Sequence, residues 1–316
     1  MSEPKTLQEA VIYFSNPDNC LSYLAAKRWP NGVTCPACGS EKVTFNTSRR
    51  IWQCSSHHPK RQFSVKVGTI FEDSAVPLDK WLVAVWMITN CKNGVSSYEV
   101  GRALGVTQKT AWFMMHRIRL VLQDETGGML GGEVEVDETY IGGKARNMHN
   151  EKRRARIIGT GGAGKVAVMG LLERRGRVRT KIVPNIRKPM LQAHVREHVT
   201  PGSSVFTDAL QSYDGLEQEY IHQVIDHAEC YAKENVHTNG LENYWSLLKR
   251  GIRGTYVSVE PFHLFRYLDE QAFRFNNRED RDDGDRFNLA MSKIIGKRLT
   301  WDHLTGKSLQ PETSAN

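Results

Sequence analysis

"GGEVEVDETYIGG", residues 131–143, sets four acidic side chains into six residues of a stretch that otherwise reads as a strand. Val134 and Val136 alternate with Glu133, Glu135 and Asp137, and a Gly-Gly pair closes the run. Period-two alternation puts those three acids on one face. Like charges that close together lower sheet stability, so acid concentrated here in a chain of net charge +8 calls for a compensating cation. Two more acids stand out by position. Asp208 ends "SSVFTD" (203–208), where a strand hands over to a helix and where an Asp also serves as an N-cap. Glu242 lies in "VHTNGLENYWSLLKR" (236–250), a helix with Leu241, Trp245 and Leu248 on one side and Asn239, Glu242, Ser246 and Lys249 on the other.

An acid within a strand, another at the end of a second strand and a third on a later helix can meet at one edge of a sheet. Oxygen ligands of that kind suit a hard divalent cation, Mg2+ or Mn2+. Two such ions about 4 Å apart serve in-line phosphoryl displacement, one activating the nucleophile and one stabilising the leaving oxygen. On this reading the acidic strand is a metal cradle, and bound metal relieves its repulsion.

Around that strand the pattern predicts three strands in sequence, with a hairpin turning at Arg175-Gly176 in "KVAVMGLLERRGRVRTKIV" (165–183). Helix and strand then alternate through a helix at about 187–198, strands at 203–208 and 220–225, and helices at 238–250 and 261–278. The fold class is α/β, a mixed sheet with helices on its faces. "GTGGAGK" (159–165) imitates a phosphate-binding loop, but Val166 stands where Ser or Thr would bind magnesium and a strand follows. With "KARNMHNEKRRAR" before it, this segment reads as a basic loop suited to a phosphate backbone.

Upstream, Cys35-x-x-Cys38, then Cys54 with His57 or His58 shortly after, has zinc-ribbon spacing. His57 gives the commoner C-x-x-H interval, and His58 directly precedes Pro59. The segment "SSYEVGRALGVTQKTAWFMMHRIRLVLQ" (96–123) reads as helix, Gly105 turn, helix, with Thr107 as N-cap. In a helix-turn-helix the second helix would read DNA, with Gln108 at a base edge and Lys109, Arg117 and Arg119 on phosphates. The alternative is an ordinary helical hairpin that packs Leu104, Val106, Trp112 and Met115. The expected divisions are 1–76 (short helix and ribbon), 77–125 (helix-turn-helix), 126–300 (catalytic domain) and a polar tail at 301–316.

The balance of 43 Lys+Arg against 35 Asp+Glu favours a polyanionic partner. The opening "MSEPKTLQEAVIYFS" lacks a basic segment followed by an apolar one, and the longest apolar run, "WLVAVWMI" (81–88), is too short to span a bilayer. A cytoplasmic protein with no membrane partner is expected. There, clustered cysteines point to a metal site rather than to disulfides.

"VDETYIGGK", "VFTDALQSYDGL" and "HTNGLENYWSLLKRGIRGTY", followed by "HLFRYLDEQAFRFNNR", resemble insertion-sequence DDE transposases. The match is to the ISXO-like group with an N-terminal zinc ribbon, and "CPACGS", "QFSVKVGTIFEDS" and "PLDKW" are similar to that group's N-terminal part. The resemblance covers roughly residues 20–290. It implies a ribonuclease-H-like catalytic domain, preceded by the zinc ribbon and helix-turn-helix, with catalytic Mg2+ (or Mn2+) and structural Zn2+. Asp137 and Asp208 match the first and second catalytic acids. The group places Asn or Glu third, so Glu242 and Asn239 compete for that role or share it. Lys249 matches the lysine after the third acid and, with Arg250 and Arg253, would meet DNA phosphate. The implied activity is binding of the element's terminal inverted repeats, cleavage and strand transfer into target DNA, by a homo-oligomer that pairs two ends. A ribonuclease-H-like nuclease without strand transfer and a non-catalytic zinc-ribbon regulator are the competing readings.

Overall fold

The computed structural model describes residues 3–123, 127–142, 164–225 and 237–307. Its contacts divide the chain into two units, Met1–Gln123 with Asp280–Asn316, and Asp124–Glu279.

In the first unit, α1 (Leu7–Phe14) and α2 (Pro17–Arg28) start on side-chain caps, Thr6 and Asn16, which accept from backbone N–H groups left unpaired at the helix starts. A three-stranded antiparallel sheet follows, β1 (Val43–Asn46), β2 (Ile51–Cys54) and β3 (Gln62–Phe63). Then come α3 (Leu78–Asn90), α4 (Ser97–Leu104) and α5 (Gln108–Val121). Ser96 and Glu99 form a reciprocal capping box on α4, which ends at Gly105 with φ 59°, a left-handed position where a side chain would be strained. Thr107 caps α5 by accepting from the Thr110 N–H. Phe14, Tyr23, Trp86 and Phe287 interlock at the centre; the Phe287 ring lies 5.0 Å from Trp86 and 5.7 Å from Phe14 and Tyr23. Phe287 comes from α9 (Asp283–Met291), so the chain end completes this core.

Two expectations for α5 are corrected. The sequence places Arg117 and Arg119 on DNA phosphate, yet they are 4% and 1% exposed. The Arg117 guanidinium donates to the carbonyls of Leu299, Ile70 and Glu72 at 2.7 to 3.0 Å. It is an internal strut, because buried carbonyls left without a donor are costly. Residues 301–305, expected to begin a polar tail, form α10 (Trp301–Thr305) with Leu304 buried. Residues 308–316 lie outside the described ones.

The second unit is built on a five-stranded sheet in the order β6-β5-β4-β7-β8. Its strands are β4 (Glu133–Ile141), β5 (Val166–Glu173), β6 (Val178–Val183), β7 (Ser204–Asp208) and β8 (Ile221–Ile225). The first three pair antiparallel, while β4 with β7 and β7 with β8 are parallel. The expected mixed sheet is thus present. Alternation along β4 works as read: Val134 and Val136 pack with Leu191 and Val195 of α6 (Lys188–His198) on one face. The other face carries α7 (Asn239–Arg250) and α8 (Leu264–Asn276), whose Leu241, Trp245 and Leu268 pack on Val168 and Leu172. Among the described residues no helix is long and apolar enough to cross a membrane.

Candidate active site

The parallel ladder between β4 and β7 pairs Glu133–Glu135 with Ser204–Phe206 and stops there. Continued two residues further, the same register would set Asp137 opposite Asp208. The two strands instead part just before the aspartates, and carboxylate oxygens of Asp137, Glu138 and Asp208 gather in the fork within 4.8 Å of one another. The two expected aspartates are therefore brought together. Glu138 is an addition that strict alternation hid, since it assigns neighbours on a strand to opposite faces.

Each carboxylate is held by named donors. Asp137 Oδ1 accepts the Glu138 N–H at 2.8 Å, and Oδ2 accepts the Trp245 indole N–H at 2.9 Å. Asp208 Oδ1 accepts the Leu210 N–H at 3.2 Å, so it caps the turn after β7 as well as facing the cluster. Glu138 accepts from the hydroxyl of buried Tyr213. Trp245 reaches Asp137 across Gly170, the residue paired with Asp137 on β5. A Cβ at Gly170 would lie 2.6 Å from the Trp245 ring, so the helix can seat there only on a bare backbone.

Burial and crowding raise two carboxyls of the fork, those of Asp137 and Glu138. Burial pushes the Asp137 carboxyl up to about 6, with Asp208 and Glu242 adding to the rise and the two donated hydrogen bonds opposing it. Burial pushes Glu138 up to about 8, with Asp208 and Asp137 acting in the same direction and Tyr213 opposing it. Crowded, partly desolvated carboxylates are costly to ionise unless a cation sits among them. The all-oxygen donor set fits Mg2+ or Mn2+.

The other two acids of β4 are neutralised differently from the expectation that metal would relieve the whole strand. Arg174 reaches Glu135 at 3.1 Å and Glu133 at 3.5 Å. Glu135 is fully buried and also accepts the Leu241 N–H at the start of α7, where the helix dipole favours an anion. Glu242 is exposed on the first turn of α7 and bears on Asp137 electrostatically; Asn239 opens the same helix and is exposed.

Lys249, two turns beyond Glu242, is half-buried. Burial and Arg253 hold its ammonium below the ordinary lysine range, while Asp137 acts the other way. Lys249, Arg250 and Arg253, with Ser246 and Gly254, line an open groove of about 500 Å3. A π-helical turn, Gly251–Tyr256, carries Arg253 beyond the end of α7. The basic loop at 144–156 lies outside the described residues.

In the first unit, Cys35, Cys38, Cys54 and His58 bring one ligand atom each within 4.8 Å of the others. His58 is the histidine that joins the three cysteines, while His57 is exposed and lies outside the cluster. Cys38 Sγ lies 3.6 Å from Cys54 Sγ, and Cys35 Sγ lies 3.4 Å from His58 Nε2. Those separations approach the edges of a tetrahedron with Zn–S near roughly 2.3 Å. Burial raises the Cys54 thiol, but hydrogen bonds from His58 and Ser56 outweigh it and hold it at about 6, favouring the thiolate that zinc takes. The Cys3His donor set is that of a closed structural zinc site.

Residues 129–276 match the ISXO2-like transposase domain, and residues 15–57 match the transposase zinc-ribbon domain. The chain is 30% identical over 287 residues to an uncharacterized protein in transposable element ISH50 of Halobacterium salinarum, covering 86% of this chain and 94% of that protein. It is 36% identical over 104 residues to an uncharacterized transposase-like protein of Haemophilus influenzae, covering 33% of this chain and 84% of that one.

Proposed function

The chain belongs to the ISXO2-like transposase family, and on that premise we propose that it binds the ends of its own insertion sequence, cuts them and joins them to target DNA. The observation that carries this reading is the convergence of Asp137, Glu138 and Asp208 carboxylates in the fork between two parallel strands. That arrangement accords with the ribonuclease-H-like fold the family implies.

Asp137 and Asp208 would hold divalent metal together with Glu242, which is favoured over Asn239 because it bears on Asp137 electrostatically. Bound ions would lower the pKa of the attacking oxygen and stabilise the leaving one. The chain itself supplies alignment. Trp245 fixes the rotamer of Asp137 from one side, Tyr213 fixes Glu138 from the other, and the groove of Lys249, Arg250 and Arg253 grips phosphates on either side of the scissile bond. Two displacements at phosphorus follow. Water forms a P–O bond at the element's end as the bond to the 3′-oxygen breaks, leaving a free 3′-hydroxyl. That hydroxyl then forms a P–O bond to target DNA while a target 3′-oxygen leaves. No protein nucleophile is required, so catalysis rests on positioning and charge.

Recognition of terminal repeats is assigned to the zinc ribbon and to the α4–α5 pair acting as a helix-turn-helix. Gln108 and Lys109, on the first turn of α5, are the contacts that remain available there. Exposed Lys109 lies 4.6 Å from the Trp301 ring centroid, and Gln108 donates to Ser97 Oγ at 2.8 Å. Pairing two ends requires a second copy of the chain on DNA.

The test uses purified full-length protein, a labelled terminal fragment, target plasmid and Mg2+. Asp137→Asn and Asp208→Asn should each abolish cleavage and joining while leaving the gel shift of the terminal fragment intact. Joined product formed at the parent rate by the Asp208→Asn protein would overturn the assignment. Cleavage without joining when 3′-hydroxyl ends are supplied would reduce the activity to that of a nuclease.

A further inference from the structure

On the face of the sheet opposite α7, one turn of α6 carries His194, Glu197 and His198, a His-x-x-Glu-His spacing. Helical geometry sets residues four apart one above the other, so the two imidazoles share a face and Glu197 borders them. Their rings lie 4.3 Å apart, and one nitrogen or oxygen from each of the three residues falls within 4.8 Å of the others. Glu197 Oε2 lies 3.6 Å from Nδ1 of both His194 and His198. Roughly 3.3 Å is the edge of a tetrahedron with ligands at about 2.0 Å, so the 3.6 Å between His194 Nδ1 and Glu197 Oε2 is close to the separation of two ligands on one ion.

Buried polar groups are normally hydrogen-bonded, and His194 is an exception. It is 5% exposed, and among the described residues neither ring nitrogen has a hydrogen-bond partner, Glu197 Oε2 lying just beyond that range at 3.6 Å from Nδ1. An imidazole this buried favours its neutral form, which has a lone pair to offer. Nδ1 of His198 lies 3.2 Å from the His194 carbonyl; donation there leaves Nε2 as the free lone pair, the arrangement common in metal-bound histidines. Both imidazoles line a cavity of about 340 Å3 with Arg179, Lys181 and Asp269.

We propose that His194, Glu197 and His198 form a second transition-metal site, taking a borderline divalent ion such as Zn2+ with its remaining position open to the cavity. The site is separate from the carboxylate fork and from the ribbon, and two nitrogens with one oxygen suit zinc rather than magnesium. Lys181, whose ammonium lies 3.3 Å from the same Glu197 oxygen, would compete with an ion for that oxygen. At 53% exposure its side chain is free to swing aside.

Zn2+ is titrated calorimetrically into the full chain with its ribbon zinc in place, carrying Asp137→Asn and Asp208→Asn so that the fork cannot compete. One further equivalent should bind. His198→Gln, a change at a side chain 19% exposed, should weaken it by more than about 100-fold, beyond the loss of an outer-shell partner. Lys181→Met should tighten it by removing the competing cation. No further equivalent, an equivalent indifferent to His198→Gln, or no gain in Lys181→Met would each overturn the proposal.

Discussion

Trp245 donates its indole N–H to Asp137 Oδ2 at 2.9 Å, and it does so over the bare backbone of Gly170. One residue thereby seats a helix on the sheet and orients the acid at the centre of the fork. Trp245→Phe keeps most of the packing and removes the donor. Since that hydrogen bond opposes the rise of the Asp137 carboxyl, its loss should raise the carboxyl further and weaken Mg2+ or Mn2+ by roughly 10- to 100-fold. Gly170→Ala forces a Cβ into the indole and should cost about 1 to 3 kcal/mol in urea unfolding. A Trp245→Phe protein with parental metal affinity would sever the link between helix and acid.

Glu138 makes the fork sensitive to pH. Its carboxyl is raised from 4.5 to about 8, so between those values the folded chain holds a proton that the unfolded chain has released. The stability this contributes is complete below pH 4.5 and is lost as pH rises through about 8. Compared with Glu138→Gln at equal zinc and without Mg2+, the parent should lose a few kcal/mol of relative stability across that window, at about 1.4 kcal/mol per tenfold change in proton affinity. Groups common to both proteins, His194 among them, cancel in the difference. Millimolar Mg2+ should flatten the slope by neutralising the ionised cluster. A pH-independent difference would mean that the Glu138 proton is not held.

His58, not His57, lies with Cys35, Cys38 and Cys54, so it is the expected fourth zinc ligand. His58→Ala should lower tightly held zinc by one equivalent per chain, measured by atomic absorption after dialysis, and His57→Ala should leave it unchanged. Zinc loss should also unfold the small sheet β1–β3, because a unit of that size has little apolar core of its own. Equal zinc retention by both variants would point to a different fourth ligand.

Arg117 and Lys109 sit on one helix and should fail in opposite ways. Arg117→Ala removes the donor to three carbonyls and should cost about 3 kcal/mol or more, read by urea melting. Lys109→Ala should stay within about 0.5 kcal/mol of the parent, while the dependence of terminal-fragment binding on salt falls by about one phosphate contact. Parental stability with weakened DNA binding in Arg117→Ala would restore Arg117 to the DNA surface.

The alternation along 133–137, the capping residue Thr107, the apolar stripe of 241–248 and the Cys35-x-x-Cys38 spacing are local, and each was legible because its physics acts between near neighbours in the chain. Membership in a transposase family was legible for the same reason, since ordered motifs survive as strings. Which acids share the fork was decided elsewhere. The ladder between β4 and β7 ends two residues short of the aspartates, and that opening admits Glu138 beside Asp137 and Asp208. Arg174, 39 residues from Glu135 in sequence, takes the charge that the strand alone left unexplained. Arg117 reads as a surface cation in a basic helix until three carbonyls from distant segments close around it. Periodicity says which way a side chain points; burial and partners depend on chain segments far away in sequence, and only packing in three dimensions brings them together.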